Sequence, residues 1–138
     1  LRSYEYKVNN INVVMELDPG LPRIGADSVQ LQQLFLNIIL NAEEAMLTAN
    51  SRGTLKVVTK RTDGQVVISF TDDGPGIQKE NLTQIFNPFF TTKDVGRGTG
   101  LGLSICYGIV RWHHGRIHAK SELGCGTTFV IELPINIE

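Results

Sequence analysis

The sequence predicts an α+β sandwich, with helices laid on one face of a sheet. Three observations carry this. Segments rich in Val and Ile read as strands and are mostly joined by hairpin turns. Helical patterns are grouped between them rather than alternating with them one for one. The chain has 138 residues, 41% of them apolar, which is enough for one domain with a real core.

Taken in order, residues 2–10 are polar with scattered apolar positions. They are expected to be the tail of a helix or linker arriving from a missing upstream domain, since the first residue is leucine. Ile11 to Leu17 reads as a strand, Asp18-Pro19-Gly20 as a turn, and Arg23 to Ala26 as a short second strand. Asp27 or Ser28 is an N-cap for a long helix ending near Asn50. Its apolar positions Leu31, Leu34, Phe35, Ile38, Ile39, Ala42, Ala45 and Met46 recur at helical spacing and cover most of the circumference. Leu55 to Thr62 and Gln65 to Thr71 are two strands with Asp63-Gly64 as a hairpin turn. A short helix fits Lys79 to Phe86. Residues 87–99 lack clear periodicity, and Leu101 to Trp112 restores a helix with Gly115 as C-cap. Arg116 to Ser121 and Thr127 to Leu133 are the last strands, separated by Gly124-Cys125-Gly126.

The long helix carries one narrow polar line, Gln30, Gln33, Asn37, Asn41 and Glu44, whose spacings of three and four share a face. A solvated face would use Glu, Lys or Gln more readily than asparagine, a poor helix-interior residue. The apolar neighbours Leu34, Phe35, Leu36, Ile38, Ile39 and Leu40 leave this segment little access to water. A buried amide oxygen needs a partner, and it can complete the shell of a hard cation without adding charge.

Asp72 ends an apolar strand and opens the Asp72-Asp73-Gly74-Pro75-Gly76 turn, followed by Ile77. As an ionised carboxylate it only accepts hydrogen bonds, which suits an exocyclic amino group and repels a carbonyl. Gly74 and Gly76 let the backbone lie close to a base. Asp73 reads as a solvated turn residue. Four glycines in seven positions, Gly96, Gly98, Gly100 and Gly102, precede the later helix. A glycine-rich loop opening a helix offers free N–H groups and the positive end of a dipole to phosphate. Neither a P-loop nor a dinucleotide fingerprint fits its spacing. Lys93 and Arg97 flank it and can neutralise phosphate.

The rest of the composition mainly excludes. Charged residues make up 20% and the net charge is −1, so there is no electrostatic footprint for nucleic acid and no basic patch for a membrane. No apolar run is long enough to span a bilayer. Cys106 and Cys125 make no ligand spacing and read as a helix residue and a turn residue. A reducing cytoplasm is the expected setting. His113 and His114 end a helix, where the dipole favours positive charge. With His118 they form no metal-binding pair or hydrolytic triad.

The order of these signals resembles one family. Asn37-x-x-x-Asn41-Ala42 resembles the N box of the sensor histidine kinases, and Asp72-x-Gly74-x-Gly76 their G1 box. Ile85-Phe86-Asn87-Pro88-Phe89-Phe90 resembles their F box, and Gly98-x-Gly100-Leu101-Gly102-Leu103 their G2 box. Gly124-x-Gly126-Thr127-x-Phe129 is similar to their last turn. The chain is identified by this resemblance as the catalytic, ATP-binding domain of a histidine kinase of the GHKL superfamily.

The resemblance implies a mixed sheet of about five strands covered by about three helices, in a single domain over residues 1–138. It implies ATP and Mg²⁺ as ligands, with Asn41 on the metal, Asn37 on the polyphosphate side, Asp72 reading adenine with help from Thr127, and Ile77 beside it. Phe86 to about Gly100 matches an ATP lid hinged by Phe86, Phe89 and Phe90. Lys93, Arg97, Gly98, Thr99, Gly100, Leu101, Gly102 and Leu103 complete the phosphate side.

Two positions depart from the pattern. Glu44 stands where many members carry Lys or Arg. Asn37 stands where the hydrolysing members carry a glutamate base. The implied reaction is therefore transfer of the γ-phosphoryl group to a histidine on a separate dimerisation domain. The implied partners are that domain, in a homodimer, and a response-regulator receiver domain. The 138 residues alone are expected not to phosphorylate themselves. The rival readings are a nucleotide-binding regulatory module and a serine kinase of the anti-sigma-factor type.

Overall fold

The computed structural model describes residues 10–18, 26–88 and 102–135, together with the backbone of residues 2–8. The order is β1 (Arg2–Val8), β2 (Ile11–Leu17), α1 (Ser28–Asn50), β3 (Gly53–Thr62), β4 (Gln65–Asp72), α2 (Lys79–Leu82), α3 (Gly102–Trp112), β5 (Arg116–Glu122) and β6 (Gly126–Pro134). The strands form a six-stranded sheet in the order β1-β2-β3-β4-β6-β5. It is mixed: β2 and β3 are parallel and every other neighbouring pair is antiparallel. The parallel pair requires a crossover, and α1 supplies it.

The sheet carries one strand more than the expected five. Residues 2–8, expected as part of a helix tail, instead form β1, with Val8 paired to Ile11 and Asn10 in a turn. The sequence signal for this is the alternation of Tyr4, Tyr6 and Val8 before Asn9-Asn10. Asparagine tolerates the left-handed conformation that tight hairpins need, and Asn10 has φ 68°. The Asp63-Gly64 turn is observed as expected, with Gly64 at φ 72° and Thr62 opposite Gln65. The strand expected at Arg23 to Ala26 and the Pro19-Gly20 turn lie largely outside the described residues.

α1 starts where expected: the Asp27 carboxylate accepts the Gln30 N–H at 3.0 Å. Its fully buried residues are Leu34, Ile38, Ala42 and Met46, a single stripe of i, i+4 steps against the sheet. Leu36 and Leu40 are exposed at 54% and 49%, which corrects the expectation that little of this segment faces water. One helix face can meet the sheet and another α3, and those two leucines point to neither. The short helix expected to reach Phe86 ends as α2 at Leu82 and continues in turns.

At the end of α3 the left-handed residue is His114 (φ 61°), not Gly115. Gly115 N–H donates to Val110 O and His114 N–H to Arg111 O, the paired bonds of a Schellman stop. Gly115 is required for another reason: a Cβ there would collide with Glu132 O of β6. His113 also departs from the expected charged helix end. It is buried, its Nε2 accepts the Asp27 N–H at 3.0 Å, and its Nδ1 lies 2.8 Å from Ile109 O. An amide can only donate and a carbonyl only accept, so the ring is neutral with its proton on Nδ1. It ties the end of α3 to the start of α1.

The core lies between the sheet and these helices. Leu55, Phe70, Phe129, Ile131 and Leu133 face Leu34, Ile38, Met46 and Val110. The other sheet face carries the Lys56–Glu16 ion pair at 3.5 Å. No helix among the described residues is long and apolar enough to cross a membrane.

Candidate functional site

A row of side chains crosses the sheet at one end of the strands. Leu55 stands opposite Asp72, Asp72 opposite Thr127, and Thr127 opposite Ser121. Directly opposed residues of antiparallel strands share a face, and this is the face under the helices. The row changes from apolar on β3 to three consecutive polar residues on β4, β6 and β5. Asp72 and Thr127 are each only 5% exposed. Polar groups so placed at the edge of a core need partners.

Those partners come from two turns that interlock. Asp72 Oδ1 accepts the Gly74 N–H at 2.9 Å, and the Thr127 backbone N–H also donates to this carboxylate. Burial pushes the Asp72 pKa above its ordinary 3.8; the two backbone donors pull it back, and the neighbouring Asp73 raises it further. The β5–β6 turn bonds to the turn after Asp72 through Gly124 N–H to Pro75 O at 2.9 Å. Gly126 has φ 128° and a Cβ on it would run into Asp72 O. Gly76 has φ 81° and a Cβ on it would meet Glu122 O. Both glycines are therefore demanded by backbone approach within the protein, whatever ligand lies beyond. Asp73, expected as a solvated turn residue, is exposed and its Oδ1 accepts the Thr54 N–H at 2.9 Å.

The polar line of α1 leads away from this corner. A Cβ on Gly74 would lie 3.6 Å from Ala45 Cβ, so α1 touches the turn at Ala45. Asn41 and Asn37 lie one and two turns earlier on that face, both half-buried, as is Glu44. α3 runs antiparallel to α1: Cys106 Sγ is 3.7 Å from Leu34 O, while His113, later in α3, meets Asp27, earlier in α1. The Asn37 side chain hydrogen-bonds Cys106, whose thiol burial pushes up to about 12. The start of α3, Gly102, is one turn before Cys106 and so opens near the level of Asn41. Phe86 stacks edge-on against Phe129 at 6.3 Å and lies 5.8 Å from Tyr107, which fixes the chain where it leaves the sheet corner.

Residues 26–137 match the model of the histidine kinase-, DNA gyrase B- and HSP90-like ATPase family. The chain belongs to this family. Within it the similarity is to sensor histidine kinases. The sensor histidine kinase ZraS of Escherichia coli (strain K12) is 44% identical over 99% of this chain. The catalytic domain of the histidine kinase ThkA superposes with a TM-score of 0.78 at 35% identity, covering 91% of this chain and 81% of that one. Full-length ShkA in complex with AMPPNP superposes with a TM-score of 0.79 at 30% identity, covering 94% and 27%. The chain spans 28% of the length of ZraS. It is thus a histidine kinase catalytic domain of the ATP-binding kind, and the mixed sheet under helices is that fold.

Of the residues that the kinase resemblance pointed to, the histidine kinase fold gathers Asp72, Gly74, Gly76, Ile77 and Thr127 at one corner. Asn37, Asn41 and Glu44 run from it along α1, with Gly102 and Leu103 at the start of α3. Lys93, Arg97, Gly98, Thr99, Gly100 and Leu101, with Phe89 and Phe90, lie outside the described residues. Sequence reasoning missed Ser121. Its Oγ receives the Ile77 N–H at 2.7 Å, lies 2.8 Å from Gly126 O and 2.9 Å from Thr127 Oγ1. Its only sequence signal was a hydroxyl near a strand end, which is common.

Proposed function

We propose that this domain binds Mg-ATP across the corner formed by Asp72, Thr127 and α1, and donates the γ-phosphoryl group to a histidine on a separate dimerisation domain. The observation that carries this is the buried Asp72 beside Thr127. A carboxylate kept in the sheet, held by two backbone N–H groups, presents its remaining acceptor sites to a ligand that donates. The exocyclic amine of adenine does so and the carbonyl of guanine does not. The AMPPNP bound by the similar ShkA agrees with this choice.

The triphosphate then extends along Asn37 and Asn41 towards the start of α3, whose leading N–H groups and dipole favour negative charge. Among the described residues no three His, Cys, Asp or Glu side chains could together hold a metal. An oxygen donor set of the Asn41 amide with ligand phosphates suits Mg²⁺, which prefers few protein ligands. When bound, the ion neutralises charge on the transferring phosphoryl group. Asn37 has no carboxylate with which to activate water, so transfer to an incoming imidazole is favoured over hydrolysis. In that step the bond from the γ-phosphorus to its bridging oxygen breaks and a phosphorus–nitrogen bond forms. ADP leaves, and the imidazole gives up its proton. His113 is an unsuitable acceptor because both its ring nitrogens are engaged inside the protein. In the complete kinase the partners are its own dimerisation domain and a response regulator, such as the one with which ThkA has been crystallised.

Calorimetric titration with ATP and GTP in Mg²⁺ tests the reading. ATP is expected to bind and GTP to bind much more weakly. Equal affinities overturn the role of Asp72, and no binding of either overturns the nucleotide site. The chain alone, incubated with ATP, is expected to form no phosphohistidine.

A further inference from the structure

Ser121 has one hydrogen to donate and two lone pairs to offer, and three partners surround its oxygen. Gly126 O at 2.8 Å can only accept, so the Ser121 hydrogen goes there. The Ile77 N–H at 2.7 Å can only donate and takes one lone pair. Thr127 Oγ1 at 2.9 Å must then donate its hydrogen to the other. The Thr127 hydroxyl hydrogen thus points along the row towards β5, away from Asp72 on β4.

We infer that Ser121 fixes the polarity of the base end of the site by making Thr127 an acceptor only, so that Asp72 and Thr127 together select a purine with an amino group at position 6 over one with a carbonyl there. Ser121 is a positioning residue: it acts through Thr127 and through the backbone of Ile77 and Gly126. Without it, the freed Thr127 hydrogen has a buried carboxylate as its cross-strand neighbour and turns to it. That quenches an acceptor which the ligand would use and presents a different pattern to the base. The inference rests on the nucleotide reading above.

The test measures ADP and IDP affinities, which differ at position 6 of the base, by calorimetry on this chain and its variants. The original chain is expected to prefer ADP. Ser121→Ala is expected to narrow the ADP-to-IDP ratio by about tenfold, the loss of one good hydrogen bond. Ser121→Thr, which restores a hydroxyl, should recover the ratio. Thr127→Val should narrow it similarly, and Ser121→Ala added to Thr127→Val should narrow it no further. A Ser121 that merely holds the turns together lowers both affinities by one factor and leaves the ratio alone; that result overturns the inference. So does Thr127→Val with an unchanged ratio, which also decides the matter where Ser121→Ala does not fold. An original chain that binds neither nucleotide, or both equally, overturns the nucleotide reading itself and the inference with it.

Discussion

The two ends of the proposed site are built differently. The base end stands on three strands, and its polar groups are committed mainly to one another and to backbone atoms of two interlocked turns. The phosphate end is a set of side chains on one face of α1, offered at helical spacing beside the start of α3. The first is rigid because strand register fixes it: moving Asp72 means moving β3, β4 and β6 together. The second is adjustable because amide side chains can turn without disturbing the helix. A base is one planar object with one correct pose, whereas a triphosphate with its ion changes geometry during transfer. Rigid recognition joined to adaptable charge handling suits that ligand.

The largest effect that separates the ends is expected from Gly126→Ala. The new Cβ meets Asp72 O, and φ 128° is a conformation that L side chains rarely adopt. A loss of about 3 kcal/mol of folding stability is expected, from strain and overpacking together, read as a fall in urea midpoint. A midpoint within experimental error of the original shows that the interlock is not rigid.

Asp72→Asn acts in the opposite sense on stability. Because burial raises the carboxyl pKa, the folded chain holds its proton more tightly than the unfolded one. That contribution to stability is fully present below the unfolded value of 3.8 and is lost as pH rises through the folded value. At pH 7 the charge therefore costs stability, and the neutral amide is expected to melt no lower than the original. ATP binding should fall by about 1–3 kcal/mol, because a charge-assisted bond is lost. For the same reason ATP affinity of the original chain should weaken as pH falls through the raised Asp72 pKa, and this dependence should vanish in Asp72→Asn. A variant that melts lower and binds ATP normally reverses the assignment.

How much of this was legible in the sequence follows the same division. Asn37 and Asn41 could be placed on one helix face from spacing alone, because helical period is local. Asp72 and Thr127 were legible as motif positions. Their side-by-side placement was not, because 55 positions separate them in number and only strand register brings them together. Ser121 was invisible for that reason. β1 was misread because alternation over one short segment is a weak signal without its partner strand. Leu36 and Leu40 were misread because apolar residues on an amphipathic helix do not declare which of them meets a neighbour. His113 looked like a charged helix end until the fold placed Asp27 N–H against its ring.

The smallest and most diagnostic effect belongs to the adjustable end. Asn41→Asp changes one amide for a carboxylate of the same shape on a half-buried helix position, so the fold should be little affected. A unit charge about 4 Å from a phosphate costs about 1 kcal/mol in a water-like medium and more in a drier one. Without divalent ions, ATP affinity should therefore fall by roughly that amount. With Mg²⁺ the added charge attracts the ion, so the gain in affinity on adding Mg²⁺ should exceed that of the original chain. Asp72→Asn, by contrast, should shift ATP affinity equally with and without Mg²⁺. If both variants respond to Mg²⁺ alike, the two ends are not chemically distinct and Asn41 does not lie at the ion. If only Asn41→Asp responds, base recognition and charge handling are separable, as strand register and helical spacing place them.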